Sequence, residues 1–128
     1  MTTVILGALA YIVPTFFMAY VWHLVVFKKW YENWGFADVP NIPLGFLSIV
    51  VQGVVFSVLY AQASFNQSSF VDALPHMLLW GVVLWTVHVV GAMAKNSKER
   101  NFGYFGFETL YLFLQFVLFT TIISGIVY

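Results

Sequence analysis

VILGALAYIVPTFFMAYVWHLVVFKK, residues 4–29, is the stretch that decides the fold. From Val4 to Phe27 it carries no Asp, Glu, Lys or Arg, and it then runs into Lys28 and Lys29. At ~1.5 Å of rise per residue, a helix over 4–27 is long enough to cross a hydrocarbon layer of ~30 Å. The run is continuously apolar and does not alternate, which predicts a helix and not a barrel strand. Three more runs of the same kind follow, over residues 42–62, 70–94 and 104–128.

Composition agrees with that reading. With 62% hydrophobic and 8% charged residues, the chain has too little polar surface to keep a soluble domain of 128 residues in water. Backbone groups inside a bilayer must hydrogen-bond within their own segment, so four apolar runs predict one all-α domain, a four-transmembrane-helix bundle of a multi-pass protein. The lack of cysteine excludes disulfides, thiolate metal sites and thiol nucleophiles. The first run starts near the third residue with no basic leader and no small-residue cleavage site before it, so it reads as a retained span.

All five basic residues, Lys28, Lys29, Lys95, Lys98 and Arg100, fall in the first and third gaps between the runs. The positive-inside bias therefore predicts both gaps in the cytoplasm and both termini outside, in a bacterial inner membrane. Trp30, Tyr31 and Trp34 beside the first cations, and Phe102, Tyr104 and Phe105 after the second set, read as an interfacial aromatic belt. Pro40 and Pro43 mark the turn before the second helix, and Ser69 with Asp72 resembles a capping pair for the third. Pro14, inside the first run, predicts a kink there.

Ionisable residues within the runs are the candidate functional groups. His23, His88 and Glu108, on three different helices, are expected ~7 to 10 Å deep from the cytoplasmic ends. Such groups are costly against lipid and normally face a bundle interior, a partner or a water-filled cavity. Gln52 on the second helix and Gln115, on the face of Glu108, extend this intramembrane cluster. An alternative is that the histidines, each close to a tryptophan (Trp22, Trp85), are interfacial, and that Glu108 snorkels or pairs with Lys95 or Arg100. No metal site is expected, because ligands on separate helices would have to converge closely. Two histidines at matched depth also resemble axial ligands of a b-type haem, with Gly81, Gly91 and Ala92 making room for the ring. His76, ~18 Å along the axis from His88, cannot join the cluster and is read as interfacial with Asp72 beside it.

Small residues supply the packing signals. Gly53, Ser57 and Ala61 form a stripe on the second helix, and Thr121 with Gly125 forms another at the end of the fourth; either suits a helix of the bundle or a neighbouring subunit. Gly45, Ser48 and Gln52 lie near one face, so Gln52 is expected in an interhelical hydrogen bond. The spacing from His23 to Gln52 and from His88 to Gln115 is similar, as in a parallel internal duplication. Asn66-Gln67-Ser68 matches a glycosylation acceptor but reads as a turn. Phosphate-binding glycine loops, nucleophile elbows and nucleic-acid patches are absent from the sequence, so no nucleic-acid partner and no catalytic residue is expected.

The Trp-His…Phe-Lys-Lys-Trp stretch at 22–30 and the Ser-Gly-Ile-Val-Tyr stretch at 124–128 resemble those of small bacterial four-helix membrane proteins classed as domains of unknown function. That resemblance implies topology and no activity. Small multidrug transporters share the helix count but carry a carboxylate in the first helix, which this chain lacks. Three functional expectations result. The first is a non-catalytic accessory or assembly subunit of a larger membrane complex, in contact with lipid and with other membrane subunits or copies of itself. The second is a small oligomeric transporter or proton-coupled channel using the His/Glu cluster. The third is a haem- or quinone-linked electron carrier.

Overall fold

The computed structural model describes residues 1–36, 40–95 and 101–128. Four helices long and apolar enough to cross a membrane make up most of it: α1 (Thr2–Val26), α3 (Ile42–Ala61), α4 (Phe70–Lys95) and α5 (Phe102–Val127). A short helix, α2 (Lys28–Asn33), lies in the first connection. There is no strand among the described residues.

Side-chain caps start three of these helices. Asn41 Oδ1 accepts from the Leu44 N–H, Ser69 Oγ from the Asp72 N–H and Asn101 Oδ1 from the Gly103 N–H, each satisfying a donor with no partner inside the helix. Pro43 falls in the first turn of α3, where its missing N–H is harmless. Gln67 closes the other end of α3 by donating to the Tyr60 and Ala61 carbonyls, so the 66–68 tripeptide serves as a turn. The α-helical run continues unbroken through Pro14. The irregularity of α1 comes later, as a π-helical segment at Val21–Val26; α4 has one at Thr86–Val90 and α5 one at Ile123–Val127.

α1 packs along α3, α5 packs along α4, and α1 meets α5, giving the lateral order α3–α1–α5–α4. Gly53 and Ser57 sit in the α1–α3 seam. A Cβ on Gly53 would lie 2.7 Å from Ile12 Cγ1, and Ser57 Oγ donates to the Val4 carbonyl at 2.7 Å. The other stripe faces outward: Thr121 and Gly125 are exposed, and the neighbouring Thr120 and Ser124 point inward. Two cores stack along the bundle. One joins Tyr11, Phe56, Tyr60, Met77, Phe116 and Phe119 near the α3–α4 turn. The second, at the opposite end, gathers Tyr31, Trp34, Val89, Tyr104, Tyr111 and Leu112. Tyr31, Trp34 and Tyr104 are thus buried core residues and not members of an interfacial belt, whereas Trp30 and Phe102 are exposed. The α2 turn folds back under the bundle, and the Trp34 indole takes the space above Gly103, where a Cβ would lie 2.6 Å from Trp34 Cζ2. Only glycine allows that approach.

Candidate functional site

Between the two cores, three helices deliver ionisable groups to one point. His23 is the third residue of the π segment in α1 and His88 the third of that in α4; Glu108 sits one and a half turns into α5. A π segment holds one residue more than an α-turn of the same length and re-aims the side chains in it. Glu108 is 2% exposed and bonds in several directions. Oε1 faces His88 Nε2 at 2.7 Å, and Oε2 faces His23 Nε2 at 3.0 Å and accepts from the Tyr31 hydroxyl at 2.7 Å. The Tyr31 oxygen in turn accepts from Trp22 Nε1 at 2.8 Å, so its proton is committed to Glu108. These partners make a buried carboxylate tolerable where water is excluded.

Proton counting constrains the cluster further. His23 Nδ1 faces the Ala19 carbonyl at 3.0 Å, and a carbonyl only accepts, so Nδ1 carries a proton. Nε2 then faces Glu108, and two bare acceptors would repel. The His23–Glu108 pair therefore holds one proton between its facing atoms, as an imidazolium beside a carboxylate or as an imidazole beside a carboxylic acid. Phe36 stacks on the His23 ring with centroids 5.4 Å apart, and Tyr111 meets it edge-on at 4.7 Å. Glu108 is not snorkelled and does not pair with Lys95; Arg100 and Lys98 lie outside the described residues. The buried position, the seventh residue of α5, places the carboxylate within reach of imidazoles.

Gln52 and Gln115 belong to a neighbouring network. Gln115 Nε2 donates to the Tyr11 hydroxyl, Tyr11 donates to Gln52 Oε1 at 2.7 Å, and Gln52 Nε2 donates to Ser48 Oγ at 3.0 Å. All five sequence-read residues, His23, Gln52, His88, Glu108 and Gln115, line one cavity of about 430 Å³. Another hollow, of about 350 Å³ between α4 and α5, offers little chemistry: its one hydroxyl, on Thr109, already accepts from Trp85 Nε1 at 2.9 Å. His76 stands apart, exposed, with Nδ1 on the Asp72 carbonyl at 3.1 Å and not on the carboxylate.

Sequence reading missed Tyr11, Thr15, Tyr31 and Tyr111. A signal existed for three of them: Tyr11 and Thr15 precede His23 in steps of four along α1, and Tyr111 follows Glu108 by three. Tyr31 reaches Glu108 only through the fold-back of α2.

A bis-histidine haem does not fit these residues. Both Nε2 atoms are engaged with one carboxylate, and the space beside Gly81 is filled by the Phe116 ring, 3.0 Å from where a Cβ would stand. Among the described residues, no group of three acidic or histidine side chains is arranged to hold a metal ion. No known-family model, curated protein or solved structure matches the chain.

Proposed function

We propose that the chain is a multi-pass protein of the bacterial inner membrane, crossing four times with both termini outside, and that it is a small proton-coupled transporter whose exchangeable proton resides in the His23–Glu108–His88 cluster. The membrane reading is supported by four apolar helices of sufficient length and by the apolar side chains they turn outward. Phe17 (65% exposed), Val71 (75%), Val83 (65%) and Ile126 (80%) turn outward and suit contact with lipid. Orientation is supported by the five cations, all of which fall between α1 and α3 or from the last residue of α4 to the start of α5.

One observation carries the transport reading: two imidazoles from different helices meet a single buried carboxylate in the wall of a polar-lined cavity. Sequence alone favours an accessory subunit, because it shows no convincing site; convergence of the three groups reverses that order. The buried carboxylate is reached from the cavity through His88, whose side chain is 49% exposed. A proton arriving on His88 passes to Glu108 and is shared with His23, while Tyr31 closes the route toward the α2 turn. Movement of Tyr31 is the step that would open the other side.

Purified protein in liposomes carrying a pH-sensitive dye, under an imposed potential, tests this. The native chain is expected to acidify or alkalinise the lumen measurably, and Glu108→Gln to abolish the flux while leaving the folded helix content unchanged. Flux equal in both would remove the transport reading. The exposed Thr121 and Gly125 stripe supports a second reading, association with another membrane subunit or a second copy; chemical cross-linking in native membranes separates the two.

A further inference from the structure

Thr15 and Tyr111 are 3% and 5% exposed, yet neither hydroxyl makes a hydrogen bond among the described residues. No fully buried side-chain oxygen or nitrogen lacks a partner there, so these two hydroxyls are the parts of their residues that open onto the cavity. The Gln115 carbonyl oxygen is in the same position: its amide nitrogen donates to Tyr11, and its oxygen accepts from nothing. Three hydrogen-bonding groups on α1 and α5 thus converge on one space with no partner among the described residues. A few polar groups open to a cavity among otherwise buried side chains are what fixes the orientation of a small molecule, and these three are placed to do so.

The shape of the cavity says where the ligand comes from. One axial end is plugged by Tyr11, Phe56 and Phe116 under the Gln52–Tyr11–Gln115 bridge. The other is plugged by Tyr31, Trp34 and Tyr104, with Phe36 stacked on His23. The unpacked side is lateral. α3 and α4 share a core near their turn but do not pack against one another beside the cavity, and Gly45, Ser48 and half of the His88 side chain are exposed there. A gap in that direction faces the hydrocarbon layer, and its edge at Gly45 and Ala92, three residues from the ends of α3 and α4, stands close enough to the helix ends for water to reach His88.

Chemistry narrows the ligand class. Both Glu108 oxygens are already engaged by His23, His88 and Tyr31, which leaves no open face for a cation, and both imidazole Nε2 atoms are committed to it, which leaves no Nε2 donor for an anion. The unpartnered groups are neutral, two hydroxyls and an amide carbonyl, and they stand among the apolar walls of Ile49, Leu84 and Leu112. A volume of about 430 Å³ falls in the ordinary range for small-molecule sites. We propose that this cavity binds a neutral, membrane-dissolved amphiphile with a hydroxyl or carbonyl head group, admitted sideways between α3 and α4. The inference rests on the membrane-spanning reading above but not on proton transfer.

Absence of cysteine in the chain makes single-cysteine reporters clean. Thr15→Cys in phosphatidylcholine vesicles is expected to react with pyrene maleimide, which dissolves in the bilayer, and not with a sulfonated maleimide confined to water. Para-octylphenol is expected to slow that reaction about fivefold, the weight of roughly one hydrogen bond, and octylbenzenesulfonate is not. Adding Tyr111→Phe should remove the protection. Ser48→Cys, at the mouth of the gap, gives the same readout if Thr15→Cys fails to accumulate. Reaction with the sulfonated reagent, no reaction with either, equal protection by the sulfonate, or protection that survives Tyr111→Phe would each overturn the proposal. Val13→Cys, on the outer face of α1, separates the two readings: its reaction with the sulfonated reagent would sink the membrane reading itself. Proton flux is not measured in this experiment, so failure of amphiphile binding leaves proton transfer standing, and the reverse.

Discussion

Glu108 shows how few contacts decide a buried charge. Its carboxylate is held by two imidazoles and a phenol, and removal of one imidazole leaves a charge without its counterpart. His23→Leu is therefore expected to destabilise the folded protein by about 3–5 kcal/mol, and Tyr31→Phe, which removes a neutral donor, by about 1–3 kcal/mol; denaturation in detergent followed by tryptophan fluorescence measures both. Burial first, and then the facing Glu108 carboxylate, push the Tyr31 hydroxyl above the ordinary tyrosine range. With the folded value raised, the Tyr31 contribution is full below the ordinary value of about 10 and is lost only as pH climbs past it. The same Tyr31 marks the limit of sequence reading. His23, His88 and Glu108 were legible because ionisable residues are rare in apolar runs and these share a depth. A tyrosine beside a lysine pair has the same composition whether its hydroxyl points to headgroups or to a carboxylate, and only the fold-back of α2 decides.

At the level of elements, four helices were legible from length and hydropathy to within about two residues at most ends. The π segments were not, since VWHLVV and TVHVV contain nothing that an ordinary α-turn would refuse. That each bears a histidine third accords with a duplicated helix pair, and Gln52 and Gln115 meeting on Tyr11 continues the correspondence. Small-residue stripes were legible as stripes but not as to what they face. Gly53 has Ile12 and the Ala8 carbonyl against it, whereas a Cβ on Gly125 would meet nothing within 4 Å. Gly53→Leu is accordingly expected to lower stability by about 1–3 kcal/mol through forced separation of α1 from α3. Gly125→Leu should leave the isolated chain as stable as before; thermal melts of the two variants in one detergent provide the comparison.

On the scale of the whole molecule, the turn between α3 and α4 and the α2 turn stand at opposite ends of the bundle. If the cations set the orientation, Ser64→Cys in intact cells will react with an impermeant maleimide and Lys29→Cys will react only after lysis. Labelling in the reverse order would invert the topology and turn the Tyr31 side of the cluster outward. The lateral order α3–α1–α5–α4 has its own consequence. Each half of the chain makes a hairpin that packs on itself, α1 with α3 and α4 with α5, and the halves meet chiefly through α1 and α5. His23 comes from one hairpin, Glu108 and His88 from the other. Biogenesis can then proceed in two insertions followed by a docking, and the second hairpin enters the bilayer with its acid only half neutralised. The first hairpin is the counterion it waits for, which makes charge matching, and not hydrophobic fit alone, the check that the two halves have found each other in the correct register.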